Sequence, residues 1–204
     1  MQNPRKNKIF LIVNSPLFII QHLLPIIHKL SASNKVFLIY KFDIKYKINI
    51  KNVKTLFIPI KREPSFLDFF SLVKLSLIKN FIKPDICISF TPKAGLLNAL
   101  TSCFNRKTYH YFTGQRWVKF KGFKLIFFRF IDKLIINSCD QTYCDSNSQA
   151  KFISEQLNTT KPNVIGEGSI SGVDLKKYNV DKSYAKERLR NKKCFIKEEI
   201  KNIL

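Results

Sequence analysis

The chain has 204 residues, of which 45% are hydrophobic and 25% charged, a composition that excludes an intrinsically disordered protein. Lysine and arginine number 36 against 14 acidic residues, so the net charge is +22. Such a charge suits nucleic acid, an anionic membrane surface or anionic substrates, and it also arises when surplus lysines merely cover a surface. Because the basic residues are spread along the chain without a recognition motif, we expect no nucleic-acid partner.

Neither a membrane-spanning segment nor a metal-binding pattern is visible in the sequence. No run of 18 or more apolar residues exists, and His22, His28 and His110 lack the spacing of metal ligands. The five cysteines are odd in number and form no C-x-x-C pair, which predicts reduced thiols, with Cys87 and Cys144 in the core. We therefore expect a cytoplasmic protein that uses no metal and no bound cofactor.

Apolar runs of strand length alternate with helical patterns along the chain. The strands are predicted at residues 9–13, 35–40, 53–60, 85–90, 108–112, 141–145 and 163–165. Helices are predicted at 17–30, from the cap Ser65 to about 81, from 92 onward, at 123–136 and from the cap Ser146 to 157. This alternation predicts an α/β fold, a Rossmann-like parallel sheet with helices on both faces.

Ligands of such sheets bind at the carboxyl ends of the strands, which directs attention to the loops after strands one, four, five and seven. After the fourth strand, Thr91 and Pro92 begin a helix that carries Lys93 in its first turn. The N–H groups of a helix N-terminus favour a phosphate, and Lys93 would add a cation. A helix capped by Thr91, with proline at its first position and a surface lysine, explains the same residues.

The loop after the fifth strand contains the sole tryptophan, Trp117, beside Gln115 and Arg116. An aromatic ring near polar donors is typical of sugar or base recognition. Alternatively, Trp117 packs under the following helix and Gly114 only serves the turn.

Basic and aromatic residues alternate from residue 119 to residue 130. An apolar stripe recurs there at helical spacing: Phe123, Ile126, Phe127, Phe130 and Leu134. Such a helix is typical of a membrane-surface segment, but a doubly wound sheet also needs apolar helices, so we expect the stripe to face the core. We expect the lysines outside it to contact anionic lipid head groups, at about 1 kcal/mol each near the surface; these are Lys119, Lys121, Lys124 and Lys133.

The last loop is rich in glycine, which permits a close backbone approach to a ligand or a sharp turn. Its Gly166, Gly168 and Gly172 match neither G-x-S-x-G nor a P-loop, and no G-x-G-x-x-G follows the first strand. Serine hydrolysis, nucleotide hydrolysis and hydride transfer therefore lack their markers.

Four segments resemble motifs of the family 4 (group 1) glycosyltransferases of bacterial surface polysaccharide synthesis. In chain order they are Phe90-Thr91-Pro92-Lys93-Ala94-Gly95-Leu96, Phe112-Thr113-Gly114-Gln115 with Trp117, Asp145-Ser146-Asn147-Ser148-Gln149, and Gly168-Ser169-Ile170-Ser171-Gly172-Val173-Asp174. The order and spacing match, and the resemblance covers residues 9–178, so the chain is similar to the N-terminal domain of this family.

The resemblance implies a GT-B fold, in which two Rossmann-like domains face a cleft, the first holding the acceptor and the second the nucleotide-sugar. It implies transfer of a sugar with retention and without a bound metal, to a lipid-linked or other saccharide acceptor at the inner face of the cytoplasmic membrane. The substrate-binding residues it implies are Thr91, Lys93, Gly95, Thr113, Gly114, Gln115 and Arg116. The hinge or cleft-edge residues it implies are Gly168, Ser169, Gly172 and Asp174. No catalytic residue follows from it.

The chain departs from the family in three respects. Arg116 stands where the resemblance leads us to expect an apolar residue. Asn14-Ser15-Pro16 follows the first strand where many relatives have a glycine-rich loop, and the second domain, expected from near residue 200, is missing. We therefore assign residues 1–178 to the acceptor-side domain and 179–204 to a charged helix or linker. Alone, the chain should bind acceptor weakly and transfer no sugar; a separately encoded C-terminal domain would complete it. The alternative is a noncatalytic membrane-surface subunit of a split glycosyltransferase.

Overall fold

A parallel sheet forms the centre of the domain. The computed structural model describes residues 5–46, 48–61, 65–102 and 106–172. In these residues the strands are β1 (Lys8–Ile12), β2 (Lys35–Tyr40), β3 (Val53–Phe57), β4 (Ile86–Phe90), β5 (Lys107–Phe112), β6 (Gln141–Cys144) and β7 (Asn163–Val164). Their order is β3-β2-β1-β4-β5-β6-β7, and every neighbouring pair is parallel. The predicted Rossmann-like α/β class is confirmed.

Helices cover both faces of this sheet, as predicted. Those in the described residues are α1 (Pro16–Phe18), a π-helix (Ile19–Leu23), α2 (Leu24–Ser33), α3 (Leu67–Ile82), α4 (Pro92–Leu100), a 3₁₀ turn (Arg116–Lys119), α5 (Gly122–Ser138) and α6 (Asn147–Leu157). Successive side chains of a strand point to opposite faces. Leu11 of β1 accordingly packs in the cluster with the π-helix and α2, whereas Phe10 packs in the cluster with α3 and α4.

Helix α4 is short, contacts both α3 and α5, and has its middle residues buried. Its carboxyl end is capped by Lys79 of α3, which is 1% exposed. The Lys79 ammonium donates to Asn98 Oδ1 at 2.7 Å and to the Asn98 carbonyl at 3.2 Å. A cation at this end also matches the negative end of the helix dipole. Asn98 in turn donates to Ser89 Oγ of β4 at 3.2 Å, so α4 is fixed to the sheet beneath it.

The structure corrects four local predictions. The predicted cap Ser65 is not the N-cap of α3, which is Phe66 and has no side-chain capping hydrogen bond. The single helix predicted at 17–30 contains the π-helix, and the third strand ends at Phe57 instead of residue 60. Thr91 does not cap α4 through its hydroxyl, because its φ of 76° turns the side chain away from the cap geometry. The Ser146 cap is confirmed, since Ser146 Oγ accepts from the Gln149 N–H. Asp174, Cys103, Cys194 and residues 179–204 lie outside the described residues.

The apolar stripe of α5 faces outward, so the prediction that it faces the core is wrong. Phe123 is 80% exposed, and Ile126 and Phe130 are exposed as well. The helix has a second apolar face, with Phe128, Ile131 and Ile135, and it is this face that packs in the core. Both faces have helical spacing, and the tertiary structure selects the one that also carries the buried Asp132.

Candidate functional site

A cleft of about 1010 Å³ opens at the carboxyl edge of the sheet. It lies at the point where the strand order reverses, between β1 and β4, which is where open α/β sheets bind ligands. The loops after β1, β4 and β5 all contribute to its lining. Of the residues predicted to bind substrate or the membrane, those that line it are Thr91, Lys93, Thr113, Gly114, Gln115, Arg116 and Lys119. The loop after β1 adds Asn14, Ser15 and Pro16. The roles of these residues in binding stay predictions.

Thr91 has a strained backbone conformation at the N-terminus of α4. Its φ of 76° and ψ of 142° are unusual for any residue with a side chain, and more so for a β-branched one. Such strain costs about 1–3 kcal/mol and tends to occur where a binding or catalytic site imposes it. Thr91 Oγ1 is buried and has no hydrogen-bond partner among the described residues. Thr91 therefore combines a strained backbone with a buried hydroxyl that has no hydrogen-bond partner among the described residues, at the edge of the cleft.

Lys93 enters the cleft in an ion pair. Its ammonium lies 2.7 Å from Asp68 Oδ1, and the two side chains are 12% and 28% exposed. Asp68 is held in turn at the start of α3, where Asp68 Oδ2 accepts from the Ser65 N–H at 2.9 Å. Sequence reasoning missed Asp68, although the spacing S-x-x-D from Ser65 was its signal. An anionic ligand of Lys93 would have to compete with this carboxylate.

Gln115 and Arg116 are positioned by residues from two other helices. Gln115 Oε1 accepts from Gln149 of α6 at 3.3 Å, and Gln115 Nε2 is buried with no hydrogen-bond partner among the described residues. The Arg116 guanidinium carbon lies 5.3 Å from the ring centre of Phe128 and 5.8 Å from that of Phe120. These cation–π contacts hold the charge at the cleft wall.

Trp117 packs in the core and does not line the cleft, which decides between the two interpretations of this residue. It is 2% exposed, its ring stacks on Phe152 and lies under the Arg129 guanidinium, and its Nε1 donates to Asp132 Oδ2 at 2.8 Å. Burial raises the pKa of the Asp132 carboxyl to about 7, and the Trp117 hydrogen bond opposes that shift. Trp117 therefore anchors the 3₁₀ turn that carries Arg116.

The lining of the cleft is partly charged and partly apolar. Its charged lining contains four cationic side chains, Lys41, Lys93, Arg116 and Lys119, against two acidic ones, Asp43 and Asp68. Its apolar lining includes Leu96 of α4 and side chains of α5; the α5 residues are Phe127, Phe128 and Ile131, with Phe120 just before the helix. Sequence reasoning missed Lys41, Asp43 and the apolar lining, because only folding brings these segments together.

Gly95 is the one predicted substrate-binding residue that the structure places outside this cleft. A Cβ on it would lie 2.6 Å from His110 Cε1, so the glycine allows α4 to approach β5. The His110 ring is buried beneath the helix, with Nδ1 3.0 Å from Ser89 Oγ, and burial lowers its pKa to about 3. His110 is therefore neutral and shielded from the cleft.

The glycine-rich loop is fixed to the end of β6 and does not line the cleft. Asp145 accepts two N–H groups of the loop, that of Ser169 at its carbonyl and that of Ile170 at Oδ1, both at 2.9 Å. Gly168 has a φ of 97° and lies so close to the Asp145 carbonyl that a Cβ would be 2.2 Å from the oxygen. Gly172 is exposed at the end of the described residues. A hinge role for this loop stays a prediction.

The described residues contain neither a cluster of metal ligands nor a helix that could span a membrane. No group of three or more His, Cys, Asp or Glu side chains in them could hold a metal ion. No helix in the described part of the chain is long and apolar enough to cross a bilayer. Cys87 and Cys144 are buried in the core, as predicted.

Comparison with known proteins finds a relative by sequence and solved structures with a similar fold. No family model matches the sequence. The capsular polysaccharide biosynthesis glycosyltransferase CapM of Staphylococcus aureus is 31% identical to this chain over 136 residues, which are 64% of this chain and 36% of CapM. The resemblance to glycosyltransferases of bacterial surface polysaccharide synthesis is thereby confirmed. The chain spans about a third of the length of this curated relative.

Solved structures support the fold alone. Sucrose-phosphate synthase from Thermosynechococcus elongatus matches with a TM-score of 0.60 and 13% identity, over 84% of this chain and 49% of that chain. UDP-GlcNAc 2-epimerase from Methanocaldococcus jannaschii matches with a TM-score of 0.52 and 18% identity, over 73% of this chain and 42% of that chain. The chain therefore has the fold of one Rossmann-like half of a GT-B protein.

Proposed function

We propose that this domain binds the acceptor of a glycosyltransferase of surface polysaccharide synthesis, and that the acceptor is a lipid-linked saccharide. The nucleotide-sugar would be held by a second domain, in the same chain or separately encoded. By the resemblance, transfer would retain the anomeric configuration and use no metal. The protein would work in the cytoplasm, attached peripherally to the inner face of the cytoplasmic membrane.

The mixed lining of the cleft is the observation that carries this proposal. Its charged lining has a surplus of cations, and Thr91 and Gln115, which also line the cleft, each have a buried polar atom without a hydrogen-bond partner among the described residues. These groups suit the phosphates and hydroxyls of a phosphate-linked sugar. The apolar lining suits a hydrocarbon chain, because it includes Leu96, Phe127 and Ile131. A ligand with an anionic head and an apolar tail matches both kinds of lining.

The chain's own residues would contribute orientation and electrostatics. Lys93 and Arg116 would hold the phosphates, and the Thr91 hydroxyl and the Gln115 amide would orient the sugar. Preorganised donors of this kind stabilise charge that develops in a transition state without reorganising. We assign no catalytic base to this domain.

Direct binding tests the proposal. The 204-residue protein is titrated calorimetrically with a short isoprenyl diphosphate-linked monosaccharide. Losing one cation–phosphate contact should weaken binding about tenfold in each of Lys93→Met and Arg116→Met. Lys29→Met is the matched control, because Lys29 is exposed on α2, on the opposite face of the sheet. Equal binding by both cleft variants and the wild type would refute an acceptor site here.

A noncatalytic membrane-surface subunit is the second candidate. The exposed apolar stripe of α5 and the exposed Lys121, Lys124 and Lys133 favour it. The DNA that follows the last codon distinguishes the two candidates. An in-frame donor domain indicates a single-chain transferase, and a separate start codon indicates a split enzyme.

The proposed membrane contact of α5 has its own test. If these lysines bind head groups, Lys121→Ser/Lys124→Ser should lower flotation with anionic vesicles at low salt by about tenfold or more, at about 1 kcal/mol for each lysine. Flotation equal to that of the wild type would refute the contact.

A further inference from the structure

Helix α3 carries an apolar face that nothing in the described structure covers. Its inner side, with Ser71, Leu75 and Lys79, is buried against the sheet and α4. Its outer side exposes large apolar side chains along its whole length: Phe66, Phe69, Phe70, Val73, Leu77 and Phe81. Phe66 is 98% and Phe81 90% exposed, so the face runs from one end of the helix to the other.

The exposed apolar area of α3 is at the top of the range for a monomer surface. A phenylalanine carries on the order of 200 Å², so the four on α3 expose roughly 600 Å², which equals the upper limit for the largest patch of a typical monomer. Helix α5 adds Phe123, Ile126 and Phe130 on the same side of the sheet. We call the outer sides of α3 and α5 the aromatic face.

The charges around the aromatic face indicate what kind of partner binds it. Each of the two helices has one acidic residue, and both are engaged, Asp68 with Lys93 and Asp132 with Trp117. Most exposed charges on or beside the helices are lysines, namely Lys74, Lys83, Lys121, Lys124 and Lys133; the exposed Asp140, just after α5, is an exception. A second copy of this chain, at +22, would bring like charges together. An anionic bilayer would instead receive apolar side chains at its interface and lysines at its head groups.

We propose that the aromatic face docks on an anionic bilayer, with the phenylalanines of α3 inserted between the head groups. The cleft then opens at the membrane, because Phe127 lines the cleft and lies on the exposed side of α5, and Lys119 lies at the cleft rim. The inference rests on the proposed function for its purpose, since a lipid-linked acceptor would enter the cleft directly from the bilayer. It differs from the α5 lysine contact in predicting apolar insertion, which salt does not screen.

Vesicle flotation of the 204-residue protein tests the insertion. Vesicles of phosphatidylcholine with phosphatidylglycerol are used at about 0.1 M and about 1 M salt, where charge interactions are screened. The wild type should remain partly bound at high salt, and Phe66→Ser/Phe70→Ser/Phe81→Ser should lose about a hundredfold in affinity. Ile44→Ser, at a site 83% exposed in the loop after β2, is the control and should bind as the wild type.

A depth measurement separates insertion from a change in folding. Phe70→Trp places a reporter on the face, while buried Trp117 supplies a constant background. Brominated lipids should quench the added tryptophan and leave the wild type unchanged. Absence of quenching, wild-type affinity of the triple variant, or a wild-type dimer that the triple variant dissociates would each overturn the proposal. If acceptor binding fails while insertion succeeds, the proposed function is wrong and the docking surface stands.

Discussion

Replacing Asp132 by asparagine should change how the stability of this domain depends on pH. Burial raises the pKa of the Asp132 carboxyl from its ordinary 3.8 to about 7. Since a tenfold change in proton affinity is worth about 1.4 kcal/mol, the ionised carboxylate should cost the folded protein about 4 kcal/mol. This cost arises because the carboxylate loses most of its hydration, and the hydrogen bond from the Trp117 N–H at 2.8 Å offsets only part of the loss.

The direction of this pH dependence follows from the number of protons that Asp132 binds in the folded and unfolded states. At pH values below about 4 the carboxyl is protonated in both states, and above about 7 it is ionised in both. Between these values the folded protein binds the extra proton. Stability contributed by this group is therefore present at low pH and is lost as the pH rises through that window.

Asparagine keeps a carbonyl oxygen for the Trp117 N–H and cannot titrate. Urea unfolding is followed by circular dichroism and by the fluorescence of Trp117, the sole tryptophan. The free energy of unfolding of Asp132→Asn, minus that of the wild type, should rise by about 4 kcal/mol between about pH 4 and pH 8. Glu155→Gln, on an exposed carboxylate of α6, is the control and should show little such rise. A difference independent of pH would refute the burial argument.

Three further predictions concern the cleft and the helix behind it. Asp68→Asn removes the carboxylate that competes for Lys93, so inorganic diphosphate should bind about fivefold more tightly in calorimetry. Thr91→Gly should be about 1–2 kcal/mol more stable than Thr91→Ala in urea unfolding, because glycine tolerates the positive φ and alanine does not. Gly95→Ala should lower the free energy of unfolding by about 1–3 kcal/mol, because its Cβ overlaps His110, and less in a His110→Ala background.

Each of these three has a result that contradicts it. Unchanged or weaker diphosphate binding by Asp68→Asn would show that Lys93 does not face the ligand. Equal stability of the two Thr91 variants would mean that the backbone at this position carries no strain. If Gly95→Ala lowers the free energy of unfolding equally with and without the His110 ring, close packing of α4 on β5 is not the cause of the loss.

The local pattern of apolar and polar residues was sufficient to predict much of the fold. Continuous apolar runs such as residues 9–13 predicted strands buried on both faces, and their alternation with helices predicted the parallel sheet. The Ser146 cap followed from residue type and position. The same reasoning failed at residues 17–30, because hydrophobic periodicity does not register the single-residue shift in hydrogen bonding that makes a π-helix.

The candidate site was predicted in part, and the failures have one physical cause. Thr91, Gln115 and Arg116 follow strand ends, so the topology alone places them at one edge of the sheet. Gly95 follows the same loop but lies one turn into α4, where the helix turns it toward His110. Asp68 and Lys41 join the cleft from other segments, and local spacing contains no information on such long-range contacts.

By itself, the sequence determined the fold class, the positions of most elements and the resemblance to surface-polysaccharide glycosyltransferases. Tertiary structure decided which apolar face of α5 is buried, that Trp117 supports the cleft instead of lining it, and that Lys93 is paired with Asp68. The reason is that periodicity and residue type are local properties of the chain. The choice between two apolar faces, or between two partners for a charge, depends on which segments the fold brings together.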